Sequence, residues 1–362
     1  MRTHDEIIVY TKIMYGENSV TMPSNVQKHV LLAPYTTLGV GGFAEYFVQV
    51  HSTQELTEVV SWATSCDLNI TILGGGSNVL IADEGISGLV MQPCFTGIHY
   101  EDVEEGVTLV RVGAGVLLDA LVEDVVSHGL WGLENLSAIP GTVGATPVQN
   151  VGAYGVEVKD VIVSVTMCDI TTQKIFEIKN EACKFSYRDS IFKREEGKNF
   201  CIIEVAFLLH KKASPKISYK DLTTYFLDTT EPTLREIRNA VIEIRSNKFP
   251  DWHIVGTAGS FFKNPTIAKD VFMVLQLKYP DIVGYNNEQG DIKISLGWIL
   301  EHVCKVKGVW EGKVGLFEKQ ALVLVCERGV TAEEIKNFSE KIIARVYDAT
   351  GIRIEREVTL LQ

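Results

Sequence analysis

The sequence predicts a globular protein of mixed helix and strand divided into two or three domains, and three observations carry that expectation. Its 362 residues, 46% hydrophobic and 22% charged, suffice to fill more than one large core. Capped amphipathic helices are interleaved with short β-patterned runs, and the pattern changes near Thr233, where a domain boundary is expected. Charge and cysteine usage narrow the function. With 34 basic and 46 acidic residues the formal net charge is −12, so the overall field repels nucleic acid and anionic membranes, and any anionic ligand must meet a local basic cluster. The seven cysteines (Cys66, Cys94, Cys168, Cys183, Cys201, Cys304 and Cys326) are odd in number and contain no CxxC pair. That argues against a disulfide framework and a zinc site, and for reduced thiols in the cytoplasm. The eight histidines form no HxxxH or HExxH set, so no metal site is expected. Residues 1–25 lack the basic and apolar stretches of a signal peptide or anchor and are expected to form a loosely ordered extension.

The elements follow in order. Ser52 and Glu55 form a capping-box pattern before the helical spacing of STQELTEVVSWATSCDL, which runs into the strand-like NITIL. A glycine run at 74–76 ends that strand, and VLIADEGISGLVMQ reads as further strand and turn. LLDALVEDVVSH is a helix closed by Gly129. From Trp131 to Glu157 the chain is too rich in glycine for a regular element, and a loop that long is usually functional. Strands continue to about Leu209, interrupted by KFSYRDSIFK. Thr233 and Glu236 cap an amphipathic helix that ends before Pro250. Beyond it, SLGWILEHVCKVKG reads as a helix with Cys304 as a packed thiol, QALVLVC as a strand and TAEEIKNFSEKIIARVYDATG as a capped helix. The alternation in IRIEREVTLL predicts a terminal strand with Glu355 and Glu357 together on a solvated face and Ile352, Ile354 and Val358 on the other.

Two glycine-rich segments invite a ligand. Consecutive glycines in ILGGGSNVLI let amide N–H groups converge on an anion, a pyrophosphate above all. The same run fits a tight structural turn equally well, but it is not GxGxxG and opens no helix, so a dinucleotide site of Rossmann type is the poorer explanation. In IPGTVGATPVQNVGAYG, glycines alternate with small residues and amides. That composition supplies both close backbone approach and fixed polar partners for a flat aromatic ring such as a flavin.

LGVGG, ILGGGSN, GLENLSAIPGTVGATPVQNVGAYG, YRDSIFK, AGSFFKNP and the terminal EREV occur in an order, spanning about Pro34 to Val358, that resembles the UDP-N-acetylenolpyruvoylglucosamine reductase family, most closely its longer, type I branch. The resemblance implies the α+β class: a two-lobed FAD-binding fold of the vanillyl-alcohol-oxidase type, built from α+β lobes, plus a third, α/β substrate-binding domain. The divisions are then 26–92 for lobe 1, 93–246 for lobe 2 with the C-terminal strand 352–362, and 247–351 for the substrate domain. It also implies non-covalent FAD, NADPH as hydride donor, a nucleotide-sugar substrate, a cytoplasmic location and a monomer with no nucleic-acid or membrane partner.

By the same resemblance, Gly74, Gly75, Gly76, Ser77, Asn78, Val79 and Leu80 from the first segment bind the cofactor. The second segment contributes Pro140, Gly141, Thr142, Gly144, Ala145, Gln149, Asn150, Gly152, Ala153, Tyr154 and Gly155. Arg188 would stabilise an enolate, Ser260 would protonate it, and Glu357 would orient the arginine. Tyr187, Tyr219, Lys248, Asn264, Tyr285, Lys307 and Gln320 would hold the nucleotide sugar. From their peptides alone, Arg188 fits a surface pair with Asp189, and Ser260 fits a cap or turn. Where some members carry proline between the two glutamates this chain has Arg356, which leaves the approach of Glu357 open, and position 318 is Glu318 where relatives can carry glutamine. Two other functions share these features: a flavin oxidoreductase of the same fold acting on another substrate, and a nucleotide-sugar binder without catalysis.

Overall fold

A computed structural model describes residues 21–229, 231–287 and 290–362. Residues 1–20 of the expected N-terminal extension lie outside the described residues. Among those described, the first sheet joins β1 (Gln27–Leu31), β2 (Phe43–Val50), β3 (Ile70–Ile72) and, beyond the short β4 (Val79–Ile81), β5 (Ile86–Pro93), in the order β1-β2-β5-β3. β5 runs parallel to both β2 and β3, with the Thr53–Ser65 helix between β2 and β3. Val59, Val60 and Trp62 of that helix close the core over Val48, Leu89 and Met91. Ser52 accepts from the Glu55 amide as its sequence predicts, but the Glu55 carboxylate takes the amide of His51 rather than that of Ser52.

The second sheet is antiparallel throughout. It contains β6 (Ile98–Glu104) and β7 (Val107–Gly113) and, after the two-residue β8 (Gly152–Ala153) and β9 (Val156–Glu157), β10 (Ile162–Asp169), β11 (Lys174–Lys179) and β12 (Phe200–His210), in the order β11-β10-β12-β7-β6. The Leu118–Ser127 helix ends with Gly129 at φ +72°, the left-handed conformation expected of a C′ glycine. It packs with the Leu234–Lys248 helix in one core with the sheet. Arg238, 5% exposed, joins the two helices by pairing with Asp119 and Glu123 at 2.7 and 2.5 Å. The Thr233–Glu236 capping box is complete in both directions. Thr233→Ala is therefore expected to cost about 1 kcal/mol, read as a lower midpoint of urea unfolding at unchanged slope.

The remaining strands build two further antiparallel sheets: β13 (Gly256–Ser260) with β17 (Trp310–Glu311), β18 (Val314–Phe317) and β19 (Gln320–Cys326), and β14 (Thr266–Ile267) with β15 (Gly284–Asn286) and β16 (Ile292–Ile294). The alternation of helix and strand here therefore makes no parallel pairs. Their core also takes in Leu38, Val40 and Leu80 from the N-terminal region and Ile352, Ile354 and Val358 from the C-terminal one.

Two expectations need correction. The helix read through Cys304 ends at Val303, its second half being a π-turn over Ile299–Val303, and Cys304 is the buried cap. The terminal strand is only Thr359–Leu361 (β20), parallel to β4. Before it the alternation fails: Glu355 is exposed, whereas Glu357 and Val358 are both buried. The reason is tertiary pairing. Residues 355–357 bridge to 261–263 through Lys263 N–H to Glu355 O and Glu357 N–H to Phe261 O, while Arg356 is tied to Ser339 and Glu340 of the Ala332–Thr350 helix.

Candidate active site

The two glycine-rich segments face each other. The loop after β3 (74–78) lies so close to residues 140–145 that a Cβ added to Gly75 would stand 2.8 Å from the Gly141 Cα. At Gly76, with φ +62°, an added Cβ would fall 1.8 Å from the Tyr35 carbonyl oxygen, so this turn requires glycine. The Gln92 amide holds the Gly74 carbonyl at 2.9 Å, and Ser77 Oγ donates to Pro140 O at 3.2 Å. Asn78 Nδ2 reaches both Gln149 Oε1 (2.5 Å) and Glu357 O (3.3 Å), linking both loops to the C-terminal segment. Between them opens a cleft lined by Ser77, Asn78, Pro140, Gln149, Gly152 and Ala153, with Arg188, Ser260 and Glu357. Ile139, Phe249 and Arg245 complete it. Glycine backbone on two sides, amide side chains and a cation are the donor set that suits a flavin with its diphosphate, so the residues present fit the group.

Arg188 reaches this cleft from a two-residue turn. Ser186 and Asp189 exchange both backbone hydrogen bonds, and Arg188, the second turn residue, has φ +55°, a strained conformation for a side-chain-bearing residue. Ser190 Oγ fixes the turn to Val148 O in the second glycine-rich segment. Asp189 pairs outward with Arg194 at 2.7 Å, so the surface Arg188–Asp189 pair does not form. Arg188 instead points inward: Nε lies 2.8 Å from Glu357 Oε1 and one terminal nitrogen donates to Gly152 O at 3.1 Å. Glu357 is 8% exposed, and burial pushes its carboxyl above the ordinary value of 4.5, against the pull of Arg188, Lys193 and Lys263.

Ser260 ends β13 just after Gly259, at a bulge between Thr257 and Ser260 in the pairing with β19. It is partly buried, and its Oγ makes no hydrogen bond among the described residues, while Thr257 Oγ1 is committed to Leu324 O at 2.8 Å. At this bulge Ser260 lines the same cleft as Arg188 and Glu357 with its hydroxyl uncommitted among the described residues.

The other expected residues are distributed unevenly. Val79 and Leu80 begin β4, with Leu80 packed into the core it shares with Ile292, Ile294 and Leu324 rather than lining the cleft. Thr142 and Ala145 pack near Gly74, and Gly144 donates to Ala114 O. Asn150 is fully buried and its side chain is committed to Glu157, Ser186 and the Lys159 amide, so it shapes the loop. Tyr154 and Gly155, both at positive φ, make the β8–β9 turn, and the Tyr154 ring meets Tyr219 edge-on. Tyr187 lies beside Asn264, whose side-chain oxygen holds the Leu296 amide. Tyr285 is exposed on β15. Lys248 and Lys307 are each paired, with Asp221 at 2.5 Å and Glu301 at 2.6 Å, and Gln320 Oε1 accepts from the Leu322 amide.

The basic cluster the acidic chain requires is built largely from residues to which sequence reasoning gave no role. Arg245, Lys193, Lys263 and Lys293 gather around Arg188 and Glu357. Burial lowers the basicity of Lys193 and brings Lys293 down to about 8. A signal for Lys293 existed in the sequence: a lysine between two isoleucines in DIKIS is a cation in an apolar strand.

Comparison with known proteins agrees with this arrangement. Residues 44–178 match the FAD binding domain family, and residues 250–361 match the C-terminal domain family of UDP-N-acetylenolpyruvoylglucosamine reductase. The UDP-N-acetylenolpyruvoylglucosamine reductase of Pseudomonas savastanoi pv. phaseolicola is 36% identical across 94% of this chain and 100% of its own length. That of Shewanella oneidensis is 38% identical across 91% and 95%. In structure the chain is similar to UDP-N-acetylenolpyruvylglucosamine reductase (MurB) from Thermus caldophilus, with TM-score 0.65, 25% identity and coverage of 93% and 99%. The expected fold class, an FAD-binding fold joined to a third domain, is thereby borne out. With relatives of this identity matched along nearly their full length, the chain belongs to the UDP-N-acetylenolpyruvoylglucosamine reductase family.

Proposed function

We propose that the protein reduces the enolpyruvyl group of UDP-N-acetylglucosamine enolpyruvate to give UDP-N-acetylmuramate, using non-covalently bound FAD and NADPH, in cytoplasmic peptidoglycan-precursor synthesis. The observation that carries this reading is the convergence of Arg188, Glu357 and Ser260 on one glycine-lined cleft in a chain of this family. FAD, when bound, supplies the chemistry of accepting hydride from the nicotinamide and delivering it to the substrate. Asn78, Gln149 and the glycine segments would hold the cofactor, with Arg245 as a cation in the same cleft.

Addition of hydride to the β-carbon places negative charge on the α-carbon and its carboxylate, and Arg188, held by Glu357, stabilises that charge. Ser260 Oγ then gives its proton to the α-carbon. Lys193 and Lys263 add positive field that favours the charged state. Tyr187, Tyr219, Lys248, Asn264, Tyr285, Lys307 and Gln320 are assigned to the nucleotide sugar, Lys248 and Lys307 after exchanging their carboxylate partners for the diphosphate. The proposed domain limits are 26–92, 93–246 with 352–362, and 247–351; separate hydrophobic cores support the main divisions, whereas Ile352, Ile354 and Val358 pack into the third core and β20 pairs with β4 of the first lobe.

Anaerobic visible spectroscopy tests the reading. The purified protein should show flavin absorbance that NADPH bleaches and the enolpyruvyl nucleotide sugar restores. A protein without flavin, or one whose reduced flavin the sugar never reoxidises, would overturn it.

A further inference from the structure

Ile139 and Pro140 line the cleft, and Gly141 beside them abuts Gly75 of the facing loop. The residue that sets their course is Ala138. Its φ is +57°, a left-handed conformation that is unfavourable for a residue with a Cβ and persists only where neighbours hold it. Both polar groups of Ala138 are held. The N–H donates to Asp119 Oδ1 at 2.6 Å, and the carbonyl accepts from Arg245 Nε at 3.2 Å. Asp119 is fixed in turn by Arg238, whose two terminal nitrogens reach its two carboxylate oxygens at 2.7 and 3.2 Å. Arg238 and Arg245 stand about two turns apart on one face of the Leu234–Lys248 helix, so a single helix governs both sides of the peptide. At the other end of the segment, Gly141 O accepts from the amide of Leu118, the residue before Asp119. The first turn of the Leu118–Ser127 helix therefore anchors 138–141 at both ends.

Asp119 does not line the cleft and acts on it only through Ala138. We propose that Asp119 is a positioning residue for FAD: locked by Arg238, it keeps the Ala138 peptide left-handed and so fixes the Ile139–Gly141 edge against which the cofactor binds. This rests on the reading of the cleft as the FAD site. Joining the two helices is a separate task, which Glu123 shares by pairing with the same Arg238. Without the Asp119 bond, Ala138 relaxes toward negative φ, and the Pro140 carbonyl leaves Ser77 Oγ, its donor at 3.2 Å across the cleft.

The test is retention of flavin by the FAD-loaded protein, read as the rate at which free-flavin fluorescence rises after dilution. Asp119→Ala should release FAD about tenfold faster than the wild type, as loss of a charge-assisted hydrogen bond at a binding edge does. Glu123→Gln removes the other partner of Arg238 and leaves the bond to Ala138, so its release should stay within about twofold of the wild type. The decisive variant adds Ala138→Gly to Asp119→Ala. Glycine takes a positive φ without penalty, so the double variant should recover to within about threefold of the wild type. Urea midpoints measured alongside report the helix-joining role, which Ala138→Gly should not restore. Should Asp119→Ala fail to fold or to hold flavin, Asp119→Asn, of the same shape, replaces it in both comparisons with the same expected order. Equal release from the Asp119 and Glu123 variants, or no rescue by Ala138→Gly, would overturn the proposal and leave Asp119 a helix-joining residue only. A wild type that carries no flavin would overturn the functional reading itself.

Discussion

Ser260→Ala is expected to leave reduction of the flavin by NADPH within about twofold of the wild type while reoxidation by the enolpyruvyl substrate falls by about 10³-fold or more. The separation follows from the geometry. Ser260 Oγ makes no hydrogen bond among the described residues, and the bulge that presents it is held by Thr257 and Gly259, so removing one oxygen disturbs neither fold nor cleft. Only a step that needs the proton should suffer. Stopped-flow flavin absorbance measures each half-reaction separately. Equal loss in both would mean that the hydroxyl serves binding or folding, and the assignment of Ser260 as proton donor would be wrong.

The second large effect is expected at the buried pair. Arg188→Met removes the partner of a carboxylate that is 8% exposed, leaving the fields of Lys193 and Lys263 to oppose its burial. Breaking such a pair costs about 3 kcal/mol, and reoxidation of flavin by substrate should collapse with it, because the charge developing on the substrate loses its stabiliser. Arg188→Met with Glu357→Gln should regain much of the stability without regaining activity. A double variant no more stable than Arg188→Met would show that the cost comes from elsewhere.

The pH dependence carries its own sign. The native carboxyl of Glu357 titrates above the ordinary 4.5, so the native state holds the proton more tightly than the unfolded chain does. Its contribution to stability is complete below about the ordinary value and is lost as pH rises through the raised native one. Glu357→Gln should flatten that part of the stability profile. If urea midpoints of the wild type and this variant change in parallel across acidic pH, Glu357 is not the group responsible.

By itself the sequence determined the local elements and the family. Hydrophobic period, the Thr233 box and the Gly129 stop place helices because those forces act within a few residues of the chain. The motif series likewise pointed to Ser260, Arg188 and Glu357 one peptide at a time. Tertiary structure decided what those residues face. Alternation predicted a solvated Glu357, but pairing of 355–357 with 261–263 overrides the strand period and buries it against Arg188. YRDS suggested an Arg188–Asp189 pair, yet the turn sends the two side chains in opposite directions. Lys248 and Lys307, expected at the site, are paired with Asp221 and Glu301, and it is Lys193, Lys263, Arg245 and Lys293 that make the cluster around the cleft. Electrostatic neighbours depend on distance in space, and segments as far apart in the chain as Asn78 and Glu357 become neighbours only when the units pack.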